Sequence, residues 1–337
     1  MQRAIDWVSN HLESLEGVTV RSYQTNGVAS LVALPEACRE PDVIMFGHVD
    51  VVHHPDRETY RSRLSNGRIC GPGTGDMKGI VAILLELFRY FHLQNPGLPL
   101  GLAITTDEEI GGEHGTGALL NEHGLRCKLG MVPDGGSIDE VVVEEKGILQ
   151  LQLEAVGTSC HAARPWLGQN ALAQIVECIG RIEALFPPGN DPDHWHPTCA
   201  VTSVTTPNRS INRVPSHAGA SLDIRYPHPV QAEDLIRRIE EVMIEGVTAV
   251  PIVSAEPNRL SPDPAFFEAC EAVLGRRPTE RREHGGSDAR FLSNHNIPVI
   301  MSRPICGNLH SRSEWIDIES MVQFYEIYRR YLEDRLR

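Results

Sequence analysis

The sequence has no run approaching the roughly 18 or more apolar residues that a membrane-crossing helix needs, which argues against a helical span. It also has no C-x-x-C pair. Its eight cysteines, at positions 38, 70, 127, 160, 178, 199, 270 and 306, are scattered singly. Zinc ribbons and redox dithiols require paired cysteines, and disulfide frameworks belong to short secreted chains, so reduced cysteines in a cytoplasmic protein are expected. Basic residues are in deficit: 31 Lys and Arg face 45 Asp and Glu, for a formal net charge of -14. That balance opposes docking on nucleic acid or anionic lipid, where positive charge must dominate. Residues 1–15 carry no basic-then-apolar leader pattern, and there is no internal repeat or low-complexity tract. What remains is the composition of an ordinary globular protein, 41% hydrophobic and 23% charged over 337 residues, a length at which two domains are the expectation.

Hydrophobic periodicity divides the chain into two textures. Residues 1–15 place Ile5, Val8, Leu12 and Leu15 at helical spacing. Three short apolar runs, 43–46, 100–104 and 129–132, end abruptly in polar or acidic residues and read as strands. Between the first two, residues 79–91 are apolar almost throughout and read as a buried helix. Strands alternating with helices predict an α/β layer with a mixed, largely parallel sheet, and ligand sites in such sheets form beyond the strands' carboxyl ends. From 148 to 156 the pattern alternates with the period of a half-exposed strand. A helix (171–185), a Pro- and His-rich loop (187–197), strands at 200–205 and 218–224, a helix (230–245) and a strand (248–254) follow. That order predicts a smaller α+β, ferredoxin-like domain. Helix 264–274, strand 298–302 and helix 318–336 complete the chain. The expected organisation is a catalytic domain (1–146 and 259–337) interrupted by an inserted domain (147–258).

Chemistry gathers at the predicted strand ends. Gly47-His48-Val49-Asp50 follows the first strand, and because residues i and i+2 of an extended chain point the same way, Asp50 is placed to orient the His48 ring. A strand-end histidine taken alone is more often structural than catalytic. The glycine-rich segment 71–79 has neither G-x-G-x-x-G nor P-loop spacing, and an acid, Asp76, sits where phosphate would lie. Asp76 reads either as a helix N-cap or as a metal ligand. Asp107-Glu108-Glu109 is either a solvated turn or, inside a cleft, a cluster that needs a cation to relieve its repulsion. Asp134 repeats the theme at the third strand, and Gly307-Asn308-Leu309-His310 adds a second histidine near the C-terminus. Two histidines and several carboxylates without cysteine make the donor set of a hydrolytic zinc pair.

Together the segments GHVDVV (47–52), GPGTGDMKG (71–79), TTDEEIGG (105–112), VPDGG (132–136), GTSCHAARPWLGQNAL (157–172), HGGSDARF (284–291) and GNLHSRSEW (307–315) resemble the co-catalytic zinc aminoacylases, carboxypeptidases and dipeptidases. That family includes acetylornithine deacetylase and succinyl-diaminopimelate desuccinylase. The resemblance implies two Zn2+ per subunit, with Co2+ or Mn2+ as substitutes. His48 and Asp134 would hold one ion, Glu109 and His310 the other, and Asp76 would bridge both. Glu108 would be the general base. His161 of the inserted domain would reach the active site of the other subunit of a homodimer and donate to the oxyanion, and Asn212 and Arg290 would help bind substrate. Departures in the N-terminal stretch and in the substrate-type markers bear on this. Family members carry an additional stretch before the helix that begins here at Met1. Asp134, where deacetylases and desuccinylases carry Glu, resembles the peptidase and dipeptidase members. The desuccinylases' arginine-rich run before the inserted domain is absent, the chain reading Glu144-Glu145-Lys146-Gly147.

The expected function is metal-dependent hydrolysis of an amide bond in a small substrate, a dipeptide or an N-acyl amino acid. The alternatives are a dedicated deacetylase or desuccinylase, and a non-catalytic binding member of the fold. The last should have lost ligands or the base, and this chain has all of them. A nucleotide-dependent oxidoreductase rests only on Gly71-x-Gly73.

Overall fold

A computed structural model describes residues 2–38 and 40–336 of the chain. They form two compact units. Met1–Glu144, Arg259–Glu283 and Ser287–Arg337 make the larger, and Glu145–Asn258 with His284–Gly286 the smaller.

The larger unit is built on a six-stranded sheet in the order Val18–Thr25, Val28–Pro35, Leu100–Thr105, Val43–His48, Leu129–Met131, Val299–Ile300. The last four run parallel, while the first two pair antiparallel with their neighbours. The sheet is therefore mixed and largely parallel. Every residue of Val43–His48 and Leu100–Thr105 is buried, as in strands covered by helices on both faces. The two-residue period sends alternate side chains into different cores. Val43 and Met45 pack with Ile80, Leu84 and Phe88 of helix Gly79–Gln94 and with Phe324 and Tyr328 of the C-terminal helix Ile318–Arg335. Ile44 and Phe46 pack on the other side with Leu119, Leu120, Phe291 and Leu292. A Cβ on Gly47 would lie 2.9 Å from Val81 Cγ2, so this glycine lets the buried helix lie close against the strand that ends in His48.

Two hairpins were not anticipated from periodicity. Val18–Thr25 and Val28–Pro35 join through Asn26-Gly27, and Arg63–Ser65 and Arg68–Cys70 through Asn66-Gly67. Both turns have positive φ at each central residue, 47° and 81° in the first and 49° and 73° in the second. Asn-Gly is the preferred sequence for such a two-residue turn, so the signal was present in the chain.

The smaller unit has a four-stranded antiparallel sheet in the order Thr198–Thr205, His217–Tyr226, Gly147–Val156, Val247–Ala255. Its chain order is strand-helix-strand-strand-helix-strand, with helices Ala171–Glu183 and Ala232–Val242. Leu149, Leu151 and Leu153 meet Ala220, Leu222 and Ile224 of the neighbouring strand and Ile175, Ile182, Leu235 and Ile239 of the two helices in one core. The opposite sheet face carries Gln150, Gln152, Asp223 and Arg225, where Arg225 Nε donates to Asp223 Oδ1 at 2.6 Å. Among the described residues, no helix is long and apolar enough to cross a membrane.

Candidate metal centre

The parallel strands deliver their carboxyl ends side by side. His48 pairs with Thr105 in register, and Met45 pairs with Met131 on the other flank. The chain beyond Thr105 turns through Glu108–Ile110, and the chain beyond Met131 reaches Asp134. A fourth segment comes from far along the chain. Strands Cys306–Gly307 and Trp315–Asp317 form a short antiparallel pair, itself hydrogen-bonded to Arg68–Cys70, and the loop between them carries His310.

Asp76 lies at the centre of this convergence. Its Oδ1 is 3.1 Å from His48 Nε2, and its Oδ2 is 3.2 Å from His310 Nε2. His48 Nε2 is also 3.9 Å from Glu108 Oε2 and from Asp134 Oδ2, and His310 Nε2 is 3.2 Å from Glu109 Oε2. Two clusters of potential ligand atoms result, His48, Glu108 and Asp134 in one and Asp76, Glu109 and His310 in the other, with the atoms of each within 4.8 Å of one another. Asp76 does not cap the following helix, which begins after Lys78 without a side-chain cap.

The adjacent acids at 107–109 have divided roles. Asp107 Oδ2 accepts the N–H groups of His114 and Gly115 at 3.0 Å each and so holds its own loop. Glu109 splits its carboxylate, Oε1 accepting the Val52 N–H at 3.2 Å while Oε2 faces His310. Asp50 does more than sit 3.3 Å from His48 Nδ1. It also accepts the N–H groups of Glu108 and Glu109, at 3.3 and 3.0 Å, tying the turn that carries both glutamates to the histidine strand.

The electrostatics follow from crowding. Burial, reinforced by the Asp76 charge, pushes Asp134 up to about 8. Burial and Asp134 push Glu108 up to about 10, and burial and Asp76 raise Glu109. Burial also acts to raise Asp76, but hydrogen bonds to His310 and His48 outweigh it and hold that carboxyl well below the usual range. His310 is raised to about 8, chiefly by its hydrogen bond to Asp76. His48 is raised well above its ordinary value because Asp50 and Asp76 overcome the effect of burial. Carboxylates that repel one another at such separations are the environment a multivalent cation relieves. Imidazole nitrogen with carboxylate oxygen, and no thiolate, suits zinc and its hard neighbours manganese and cobalt.

Two cations at the site were missed by the sequence reading. Arg303 Nη1 lies 3.7 Å from Asp134 Oδ1, with its side chain 15% exposed. Lys78 Nζ donates to the Val49 carbonyl at 3.4 Å, and burial lowers its pKa against the pull of nearby acids. Neither announces itself locally, since burial of a charged side chain is decided by elements distant in sequence.

The residues expected to bind substrate make the following contacts within their own units. Arg290 donates to the Gly111 carbonyl at 2.6 Å and to Glu113 Oε1 at 3.2 Å, so a carboxylate of the protein itself is its partner here. His161 and Asn212 are exposed on the smaller unit, in segments joined by the Ala162 N–H donating to the Asn212 carbonyl at 2.8 Å. His161 Nδ1 accepts the Ala163 N–H at 3.1 Å, which leaves Nε2–H as the ring's donor.

A domain with a mixed, largely parallel sheet, and with two histidines and several carboxylates converging beyond its strand ends, has the site of a metallohydrolase. The chain belongs to peptidase family M20/M25/M40, whose profile matches residues 44–334. Among its relatives is the succinyl-diaminopimelate desuccinylase of Paracoccus denitrificans, 30% identical over 314 residues, covering 85% of this chain and 81% of that one. The desuccinylase of Rhodospirillum centenum is 29% identical over 315 residues, 87% of this chain and 81% of its own length. A tripeptidase from Staphylococcus aureus shares the fold with a TM-score of 0.79 at 18% identity, over 98% of this chain and 91% of its own.

Proposed function

We propose that the chain is a dinuclear zinc amidohydrolase acting on a short peptide or an N-acyl amino acid. The observation that carries this reading is the Asp76 carboxylate, with one oxygen directed at each histidine, 3.1 and 3.2 Å away. His48 and Asp134 would hold one ion, Glu109 and His310 the other, and Asp76 both. When bound, the cations would make water more acidic and polarise the scissile carbonyl. Glu108 would accept the proton of the attacking water and return it to the leaving amine. Burial and Asp134 raise its pKa in the metal-free site, and bound cations would lower it again and so keep the carboxylate ionised as an acceptor. Asp50 would hold the His48 ring in orientation.

Two readings of the acyl group are supported by different observations. Asp134 in the third-strand motif favours peptide substrates, while the desuccinylase names of the sequence relatives favour N-succinyl or other N-acyl amino acids. A panel of dipeptides and N-acetyl and N-succinyl amino acids, assayed after chelation and after restoring zinc, separates them. One class is expected to turn over only with metal. Absence of any amide hydrolysis across the panel in metal-loaded protein would overturn the reading.

We further infer that the smaller unit makes a homodimer and supplies His161 to the partner's site, with Asn212 and Arg290 assisting substrate binding. Trp166, Leu167, Val250 and Ile252 are exposed apolar side chains of that unit and support an interface. Nε2–H of His161 would donate to the oxyanion, a contact worth most in the transition state. Mixing inactive Glu108→Gln and His161→Ala homodimers is expected to restore activity through hybrids. No recovery after proven subunit exchange would count against a shared site. The eight free cysteines support a cytoplasmic location.

A further inference from the structure

The turn that carries Asp76 is held from outside itself. Glu314, 1% exposed, accepts two consecutive backbone N–H groups on a single oxygen, Gly75 at 2.8 Å and Asp76 at 3.0 Å, both on Oε1. Its own carbonyl accepts the N–H of Gly71 at 2.8 Å, at the start of the same turn. The turn is pressed against the Glu314 segment as well: a Cβ on Gly75 would meet Cys306 Cβ at 2.8 Å and the Trp315 carbonyl oxygen at 3.3 Å. Four residues before Glu314, the same loop presents His310, whose Nε2 is 3.2 Å from Asp76 Oδ2.

We propose that Glu314 is a positioning residue for the metal centre, fixing through the Gly75 and Asp76 N–H groups the register in which the Asp76 carboxylate meets His48 and His310. The turn's own hydrogen bonds, Thr74 N–H to the Gly71 carbonyl at 3.1 Å and Lys78 N–H to the Gly73 carbonyl at 2.8 Å, hold its ends, while the Gly75 and Asp76 N–H groups between them are held by Glu314. A buried acceptor spanning two successive N–H groups fixes the middle of the turn before any ligand arrives. It also couples two pieces of the site far apart in sequence, because one loop carries both the clamp and His310. Partners that orient metal ligands in this way typically change affinity by about 10- to 100-fold when removed. The toward-metal part of the proposal rests on the dinuclear reading; the clamp on the turn does not.

Two variants, one isosteric and one shortened by a methylene, separate hydrogen-bond reach from charge. Glu314→Gln keeps an oxygen at the Oε1 position and loses the charge. Glu314→Asp keeps the charge and withdraws the carboxylate by roughly 1.5 Å, one carbon-carbon bond, beyond good hydrogen-bond distance. Zinc dissociation constants by chelator competition, and amide hydrogen exchange of residues 71–79 in metal-free protein, are measured on both and on the wild type. The expected result is wild-type-like zinc affinity and exchange for Glu314→Gln. For Glu314→Asp, zinc should bind about 10- to 100-fold more weakly, with faster exchange at Gly75 and Asp76. Equal behaviour of both variants and the wild type, equal loss in both, or the reverse order would each overturn the proposal. A wild type that protects the Gly75 and Asp76 amides yet binds no zinc would instead sink the metal reading and leave the clamp standing.

Discussion

Glu108→Gln is expected to lower kcat by about 10²- to 10⁴-fold, the range that a positioned proton acceptor contributes, while leaving the bound metal content at the wild-type level. The test is sharp because the geometry offers Glu108 two roles. Its Oε2 lies 3.9 Å from His48 Nε2 and clusters with His48 and Asp134 as closely as a ligand would. If Glu108 held an ion, the neutral amide would weaken that site and the variant would lose metal along with activity. If it is the base, glutamine keeps the volume and the backbone bonds to Asp50 but cannot accept the water proton. Metal analysis beside single-turnover assays distinguishes the two. Retained turnover would reject the base assignment, and loss of metal would move Glu108 into the ligand set.

Removing metal is expected to make the protein's stability strongly dependent on pH. Asp134, Glu108 and His310 have native pKa values raised to about 8, about 10 and about 8, from ordinary values of 3.8, 4.5 and 6.5. Groups with raised native pKa bind more protons in the folded than in the unfolded chain. They contribute stability that is complete below the unfolded values and is lost as pH rises through the native ones. The slope is about 1.4 kcal/mol per pH unit for each excess proton. Asp76 acts in the opposite sense, but its native pKa is depressed, so its contribution disappears only at acid pH. Chelated protein should therefore melt at progressively lower temperature from about pH 5 to pH 9. Zinc-loaded protein should show a much flatter profile, because the cations replace the protons and their binding releases protons to buffer. Parallel melting curves with and without chelator check this, and a zinc-induced gain that shrinks with rising pH would contradict it.

Much of the site was legible in the sequence because each piece is local. An apolar run that stops at His48, Asp107 or Asp134 reports a strand and its end within a few residues. The i, i+2 relation of His48 and Asp50 follows from extended geometry alone, and the structure places their side chains 3.3 Å apart. The helices at 79–94, 264–274 and 318–335 were equally readable, since their burial follows a period written in adjacent residues. The Asn26-Gly27 and Asn66-Gly67 hairpins are local in the same way, but their signal lies in turn chemistry and not in apolar periodicity.

Other features have no local signature. Three successive acids look alike in sequence, yet Asp107 turns to its own loop and Glu108 and Glu109 toward the histidines. In sequence Asp76 reads as either helix cap or ligand, and contacts from His48 and His310, far away on either side in sequence, set its geometry. Arg290 carries a charge suited to a substrate carboxylate, but Glu113 and the Gly111 carbonyl engage it. Arg303, Lys78 and Glu314 are ordinary charged residues by every sequence criterion, and only packing buries them against the centre.

The sequence by itself determined the chemical inventory of this protein, two histidines and several carboxylates at strand ends without thiolate, and the alternation of elements that puts those ends on one edge. Both are consequences of short-range rules, residue type and backbone period. Only the tertiary structure decided which acid faces which histidine, which cations share the cleft, and which carboxylate holds the Asp76 turn. Those outcomes depend on distances between segments brought together by the packing of the sheet and its helices, and on the desolvation that this packing imposes.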